Sequence, residues 1–421
     1  MTSEWLECIA CHAQFAPTEV RYTCHCGALL SLERPSGFAA RLATRTFDAR
    51  LASRDDVDRS GVWRFREAVL DVPTSAIVSH PEGATRLYRR PSLSAFAGVE
   101  RLAFKHEGEN PTGSFKDRGM TVAVTQAVRL GARAVACAST GNTSASLAAY
   151  AAQAGLSAIV FVPAGKISLG KLAQTLAYGA LCLNVRGDFD AAMRLVNEAC
   201  AKLDIYLLNS INPFRIEGQK TIVWELLQDR GWLAPDWIAL PAGNLGNTSA
   251  FGKALREAHE GGWIDRVPRI AAIQASGANP FSRGFAEDFR TRHRMKAETI
   301  ASAIRIGDPV SWDKARDAIV ETRGVVGEVT DAELLEAKRA IDEAGIGCEP
   351  ASACSLAGVR KLRAAGTIRA TDDVVCVLTG HVLKDPDVVL HAPGPINDRS
   401  RQTIEIDPTI AAVEAALANR L

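Results

Sequence analysis

Between about residues 100 and 276 the chain alternates two patterns, and this alternation restricts its fold more than any other feature. Short apolar, β-branched or small-residue runs at 134–138, 158–162, 181–185, 205–208, 238–240 and 270–273 are separated by longer segments with helical spacing. Strand and helix in turn imply parallel sheets, because parallel neighbours need a long return connection that a helix supplies. The expected class is α/β. Several runs lead directly into Ser, Thr, Gly or Asn before the next helix, at 139–143, 209–212 and 243–247. Ligands gather at the carboxyl ends of strands in such sheets, so these turns are candidate binding loops.

A third, helix-rich region follows, with amphipathic helices expected over 331–344 and 350–365 and an apolar strand over 374–378 that ends at Thr379-Gly380. A chain of 421 residues, 47% of them hydrophobic, is long enough for two packed cores and a small appendage. Lys plus Arg number 49 against 48 Asp plus Glu, so the basic excess that nucleic-acid phosphates require is absent and no nucleic-acid partner is expected. Residues 1–10 carry Glu4 and Glu7 and no basic n-region, and no run of 18 apolar residues occurs. That pattern predicts a cytoplasmic protein with no membrane partner.

One segment carries the sharpest chemistry. Glu109-Asn110-Pro111-Thr112-Gly113-Ser114-Phe115-Lys116-Asp117-Arg118-Gly119 follows a strand-like run at 102–105 and opens an apolar helix over 120–130. The turn delivers a lysine to a helix N-terminus, where burial and the positive helix end both disfavour the ammonium form. Such an amine suits nucleophilic attack on a carbonyl, although a solvated first-turn lysine would carry the same local sequence.

Residues 111–119 resemble the lysine signature of the fold-type II pyridoxal-phosphate (PLP) enzymes, and the Asn-Pro-Thr-Gly-Ser-Phe-Lys-Asp-Arg form resembles the threonine synthase family in particular. The resemblance runs from about residue 81 to 386. It includes Gly347-Cys348-Glu349-Pro350-Ala351-Ser352-Ala353 and Leu378-Thr379-Gly380-His381 followed by Leu383-Lys384-Asp385-Pro386. It implies two open twisted α/β domains with PLP in the cleft between them, held as a Schiff base by Lys116. One departure is Thr85-Arg86-Leu87, where relatives usually have Thr-Pro-Leu.

The resemblance assigns further roles. Gly243, Asn244, Leu245, Gly246 and Asn247 join a strand to a helix, and a glycine-rich turn at a helix N-terminus suits an anion; they would cradle the cofactor phosphate. Asn142 would meet the phenolic oxygen, while Ser139, Thr140 and Thr143 would hold the substrate carboxylate; read locally, these four are as well explained as helix caps. Thr379 would face the ring nitrogen, where a neutral hydroxyl does not hold a proton as an Asp can. Arg215 offers a fixed fork of donors for a substrate phosphate, with Asn209 and Ser210 beside it and Lys166 and Lys171 as secondary candidates. Residues 165–171 superficially match a P-loop, but Leu172 stands where a magnesium-binding hydroxyl is needed.

The implied reaction is O-phospho-L-homoserine plus water giving L-threonine and phosphate. Lys116 would take a proton from Cα and then Cβ, phosphate would leave from Cγ, and water would add at Cβ. Two other PLP chemistries compete: a serine/threonine dehydratase, and a phosphoserine-using β-replacement synthase of the cysteate-synthase type. The dehydratases usually have an all-glycine phosphate loop and need no second phosphate pocket, which Asn244, Asn247 and Arg215 argue against.

Before about residue 35 the character changes. Cys8-x2-Cys11-x12-Cys24-x-Cys26 offers two thiol pairs able to wrap a tetrahedral, structural zinc, and a zinc-ribbon binding module is the non-enzyme alternative. The other six cysteines lie singly in apolar or small-residue segments and read as reduced core residues. The expected division is a ribbon-like segment over 1–35, a catalytic region over 36–390 with a smaller domain near 115–230 and a larger one from the flanks, and a tail over 391–421 ending in one helix. A homodimer is implied by the resemblance alone.

Overall fold

The computed structural model describes residues 4–139, 141–164, 169–187, 189–386, 388 and 405–418. Three sheets organise it. A small antiparallel sheet in the order β2-β1-β3 comes from Trp5–Cys8 (β1), Gln14–Phe15 (β2) and Leu30–Glu33 (β3). Six strands form a second sheet ordered β12-β11-β10-β13-β5-β4 from Leu87–Tyr88 (β4), Arg101–His106 (β5), Trp237–Pro241 (β10), Arg269–Ala275 (β11), Val325–Val329 (β12) and Asp373–Leu378 (β13). Four more form a sheet ordered β8-β7-β6-β9 from Ala134–Ala138 (β6), Ser157–Pro163 (β7), Leu181–Val185 (β8) and Tyr206–Leu207 (β9).

Every pairing in the last two sheets is parallel except that of the short edge strand β4. The reason is visible in the residues. Strands such as Trp237-Ile-Ala-Leu-Pro241 are buried along their whole length, and helices must cover both faces of such a sheet. β12 escapes a reading of apolar runs because Gly327 and Glu328 interrupt it; at the sheet edge a half-exposed strand is tolerated. The run at 205–208 pairs only over Tyr206–Leu207, since the chain then turns at Asn209 toward the next helix.

The small sheet is not a separate core. Leu6, Cys8, Cys24, Leu30 and Leu32 are buried in one cluster with Trp63, Phe65 and Trp224, so the ribbon packs on the body that holds the six-stranded sheet. The six single cysteines are all free; Cys137, Cys348, Cys354 and Cys376 are buried, while Cys182 and Cys200 are only partly so.

Residues Met1–Lys384 form one compact unit and Asp385–Leu421 a second. Within the second lies the helix Ile410–Leu417, whose N-cap Thr409 accepts from the Ala412 N–H. No helix among the described residues is long and apolar enough to cross a membrane.

Candidate active site

A cavity of about 1080 Å³ opens where the carboxyl ends of β6, β10 and β13 converge, lined among others by Lys116, Ser139, Asn142, Arg215, Gly243 and Thr379. That volume accommodates a cofactor and a substrate together.

The lysine reaches it by a turn held at four points. Asn110 accepts from the Gly83 N–H (2.9 Å) and donates to the Glu107 carbonyl (2.8 Å). The Asp117 carboxylate closes the loop by accepting from Thr112, from its N–H at 2.7 Å and its hydroxyl at 2.6 Å. Phe115 donates its N–H to the Thr379 carbonyl (3.0 Å), and His381 donates to Gly113 (2.9 Å), which ties the turn to the end of β13. Arg118, fully buried, donates to Glu107 (2.6 and 2.8 Å) and to Glu225 (2.8 Å). The Asp-Arg pair after the lysine is thus the anchor of the turn.

Lys116 is the first residue of the helix Lys116–Arg129, with its Nζ 3.9 Å from the centre of the Phe115 ring. Burial, reinforced by the Arg215 charge and opposed by Glu349, brings its pKa down to about 7. A lysine so placed presents a substantial fraction of neutral amine at neutral pH.

Opposite it, the loop after β10 makes an anion cradle. A Cβ on Gly243 would stand 2.9 Å from the Ile304 Cα, so only glycine fits there. Leu245 takes a left-handed backbone (φ 64°) and delivers Gly246 as the first residue of the helix Gly246–Glu260. One end of the buried Asn247 amide has no partner among the described residues. The Asn244 side chain donates one Nδ2 hydrogen to Ser210 Oγ (2.5 Å) and accepts from the Val310 N–H (2.8 Å), which fixes the loop and leaves its second Nδ2 hydrogen and its backbone for an anion.

The substrate side centres on Arg215. Its side chain is buried, ion-pairs with no carboxylate among the described residues, donates one bond to the Leu208 carbonyl (3.2 Å), and leaves Nε unpartnered. Burial pushes its pKa down to about 10, which still leaves a cation at neutral pH. Ser139, Thr143 and Ser210 line the same cavity. Asn209 departs from expectation: its amide exchanges bonds with the backbone of Ala138 (2.9 and 3.4 Å) and reaches the Met193 sulfur, so it pins the end of β6 and has no donor left for a phosphate. Thr140 and Lys166 lie outside the described residues, as does the Lys171 side chain.

The sequence reading did not single out Glu349 and Lys384, which also line the cavity. Glu349, buried, accepts from Asn142 Nδ2 (2.9 Å) and from the Thr379 hydroxyl (3.1 Å). A carboxylate just before Pro350 reads locally as an ordinary helix cap, and only the closure of the cavity exposes its position. Lys384, which donates to Gln174, sits in a short turn after β13 with no helical period to mark it.

Residues 78–380 match the pyridoxal-phosphate dependent enzyme family. The threonine synthase of Methanocaldococcus jannaschii is 46% identical over 91% of this chain and 94% of its own, and that of Methanosarcina acetivorans 43% identical over 98% of each. The chain belongs to the threonine synthase family. Among solved structures, Escherichia coli threonine synthase matches all of both chains with a TM-score of 0.70 at 16% identity, a likeness of fold. Maize serine racemase covers 70% of this chain with a TM-score of 0.62 at 22% identity. This is the fold-type II architecture, and as a member of the family the chain is a PLP-dependent enzyme.

The cavity fits the cofactor of the family on its own chemistry. It combines a depressed lysine pKa, a glycine turn at a helix N-terminus, and a row of polar side chains at the end of β13.

The ribbon has its own geometry. The sulfurs of Cys8, Cys11, Cys24 and Cys26 lie within 4.8 Å of one another, with Cys8···Cys26 and Cys11···Cys24 each at 3.5 Å. Four sulfurs ~2.3 Å from one zinc stand roughly 3.8 Å apart, so the set matches a tetrahedron. The N–H groups of Ala10 and Cys11 both point at the Cys8 sulfur (3.4 Å), which favours a thiolate there.

Proposed function

We propose that the chain converts O-phospho-L-homoserine and water to L-threonine and phosphate, and that Arg215 is the group that receives the substrate phosphate. The supporting observation is a buried guanidinium beside the reactive lysine with no carboxylate partner among the described residues. A buried charge is costly unless it is paired, so a protein retains one where a ligand supplies the counter-ion. A dehydratase of serine or threonine has no use for that cation.

Lys116 would hold the cofactor covalently, Asn142 and Thr379 would meet its ring, and the backbone of Gly243–Asn247 would hold its phosphate. When bound, PLP supplies the electron sink that makes a proton next to the substrate amine acidic. Lys116, released as a neutral amine, would remove that proton and, once it has passed it on, would take one from Cβ; burial and the neighbouring Arg215 charge lower its pKa to about 7 and so favour the release between the two tasks. Ser139 and Thr143, with Thr140, orient the substrate carboxylate. Arg215 and Ser210 keep the departing phosphate in the cavity.

The four-stranded sheet supports a reading of residues near 115–230 as the smaller domain, and the thiol tetrahedron supports a structural zinc. A homodimer rests on family likeness only.

The test is incubation of PLP-loaded protein with phosphohomoserine, phosphoserine, threonine and serine in parallel. Threonine and phosphate from phosphohomoserine alone is the expected outcome. Oxo acid from threonine, with no threonine from phosphohomoserine, would reverse the reading.

A further inference from the structure

The hydroxyl of Thr379 belongs to a hydrogen-bond chain whose direction is fixed at one end. Ser352 Oγ accepts two backbone N–H groups, from Thr379 (2.8 Å) and Gly380 (3.0 Å). Both of its lone pairs are then used, so its own proton goes to Thr379 Oγ, 2.9 Å away. Thr379 Oγ keeps one proton and one lone pair. Its other neighbour is the buried carboxyl of Glu349, at 3.1 Å.

Two states follow. With Glu349 ionised, Thr379 must donate to it and turns a lone pair to the cavity. With Glu349 protonated, Thr379 accepts from the carboxyl and turns its O–H to the cavity. In both arrangements the Thr379–Oε1 contact is satisfied, and an unsatisfied buried polar atom here would cost about 1–3 kcal/mol.

We infer that Glu349 and Thr379 form a two-step proton relay, in which the charge of Glu349 decides whether Thr379 offers the cofactor ring nitrogen an acceptor or a donor. This rests on the reading that places Thr379 at that nitrogen. Transfer is balanced: the Glu349 O–H bond breaks as a new O–H forms on Thr379, whose former proton passes to the nitrogen. The ring then gains a proton at the cost of one carboxylate, which strengthens it as an electron sink only when Glu349 can give that proton up. A neutral hydroxyl beside the ring nitrogen is therefore not a passive partner.

The groups that face Glu349 are Asn142 from the helix Asn142–Gln153, Lys116 from its own helix, Lys384 from the turn after β13, and Thr379. Burial raises its pKa, while Asn142, Thr379 and the two lysines pull it back, so the carboxyl is poised rather than locked.

The experiment uses PLP labelled with 15N in the ring, bound to the full chain, with the nitrogen chemical shift and the infrared carboxyl stretch followed against pH. In the unsubstituted protein the two signals should move with one shared midpoint; separate midpoints overturn the relay without any variant. In Glu349→Gln the side chain keeps its size and one acceptor oxygen but carries no titrating charge, so the nitrogen should become flat across that pH range. Titration unchanged in Glu349→Gln likewise overturns the proposal. Thr379→Val separates the two layers of the argument: a nitrogen shift it leaves untouched shows that Thr379 does not face the ring, whereas a shift it moves while Glu349→Gln does not shows that only the relay fails.

Discussion

Arg215, buried, and Lys116, half-buried, are two basic side chains on one cavity, and the guanidinium adds to desolvation in holding the amine near neutrality. The pair links substrate capture to base strength. Removing Arg215 leaves the burial of Lys116 but takes away its repelling neighbour, so the lysine pKa must rise from about 7. In cofactor-free Arg215→Gln protein, the pH at which Lys116 is half-modified by pyridoxal, trapped by borohydride, should move upward from a wild-type midpoint near 7. An unmoved midpoint would mean the two charges do not sense each other.

The same substitution should have opposite effects on binding and on stability. Losing a charge-assisted bond to the substrate phosphate costs about 1.5–3 kcal/mol, or roughly 10- to 150-fold in kcat/KM for phosphohomoserine. The ligand-free protein, relieved of an unpaired Nε, should gain on the order of 1 kcal/mol and melt at a higher temperature. Steady-state kinetics and thermal unfolding of one preparation check both signs.

Most of the fold was legible because fully buried parallel strands write continuous apolar runs, as in residues 237–241 and 134–138. What was not legible depended on closure in space. Asn209 sits in the expected loop and lines the cavity, yet its side-chain amide is bonded to Ala138 and Met193. Glu349 becomes a site residue only when β13 brings Thr379 beside it. Arg86 shows a third case: its N–H donates to Glu109 (2.7 Å), a bond the proline usual at this position in relatives cannot make.

Neutralising Glu225 should be strongly damaging. It meets Arg118 (2.8 Å), Lys105 (2.7 Å) and Arg64 (2.9 Å), and all four side chains are buried. Glu225→Gln leaves three cations short of one charge and should cost about 3–5 kcal/mol, read as a lower denaturation midpoint in urea. These cations, Arg118 foremost, offset the burial penalty and hold the Glu225 carboxyl well below its usual value of 4.5. Its contribution is therefore complete above pH ~4.5 and fades as pH falls below it. The variant should accordingly lose Glu225's share of the acid sensitivity below pH ~4.5, while Glu217, held down by Lys220, Lys253 and Arg34 against its burial, keeps its own.

The ribbon gives the last prediction. Its four thiols surround one point, and its buried residues share a core with Trp63 and Trp224, so a metal held there is linked to the folding of the main body. Protein purified with zinc should carry one ion per chain, and Cys11→Ser with Cys26→Ser, both at exposed positions, should abolish that stoichiometry without opening the apolar cluster. Where free zinc exceeds its Kd a thousandfold, the metal contributes ~4 kcal/mol to the folded state. Strong chelation should therefore lower the melting temperature of the unsubstituted protein toward that of the double variant, while the fresh double variant still turns over phosphohomoserine. Loss of turnover in step with zinc, before any unfolding, would give the ribbon a direct part in the reaction and contradict its reading as a structural clamp.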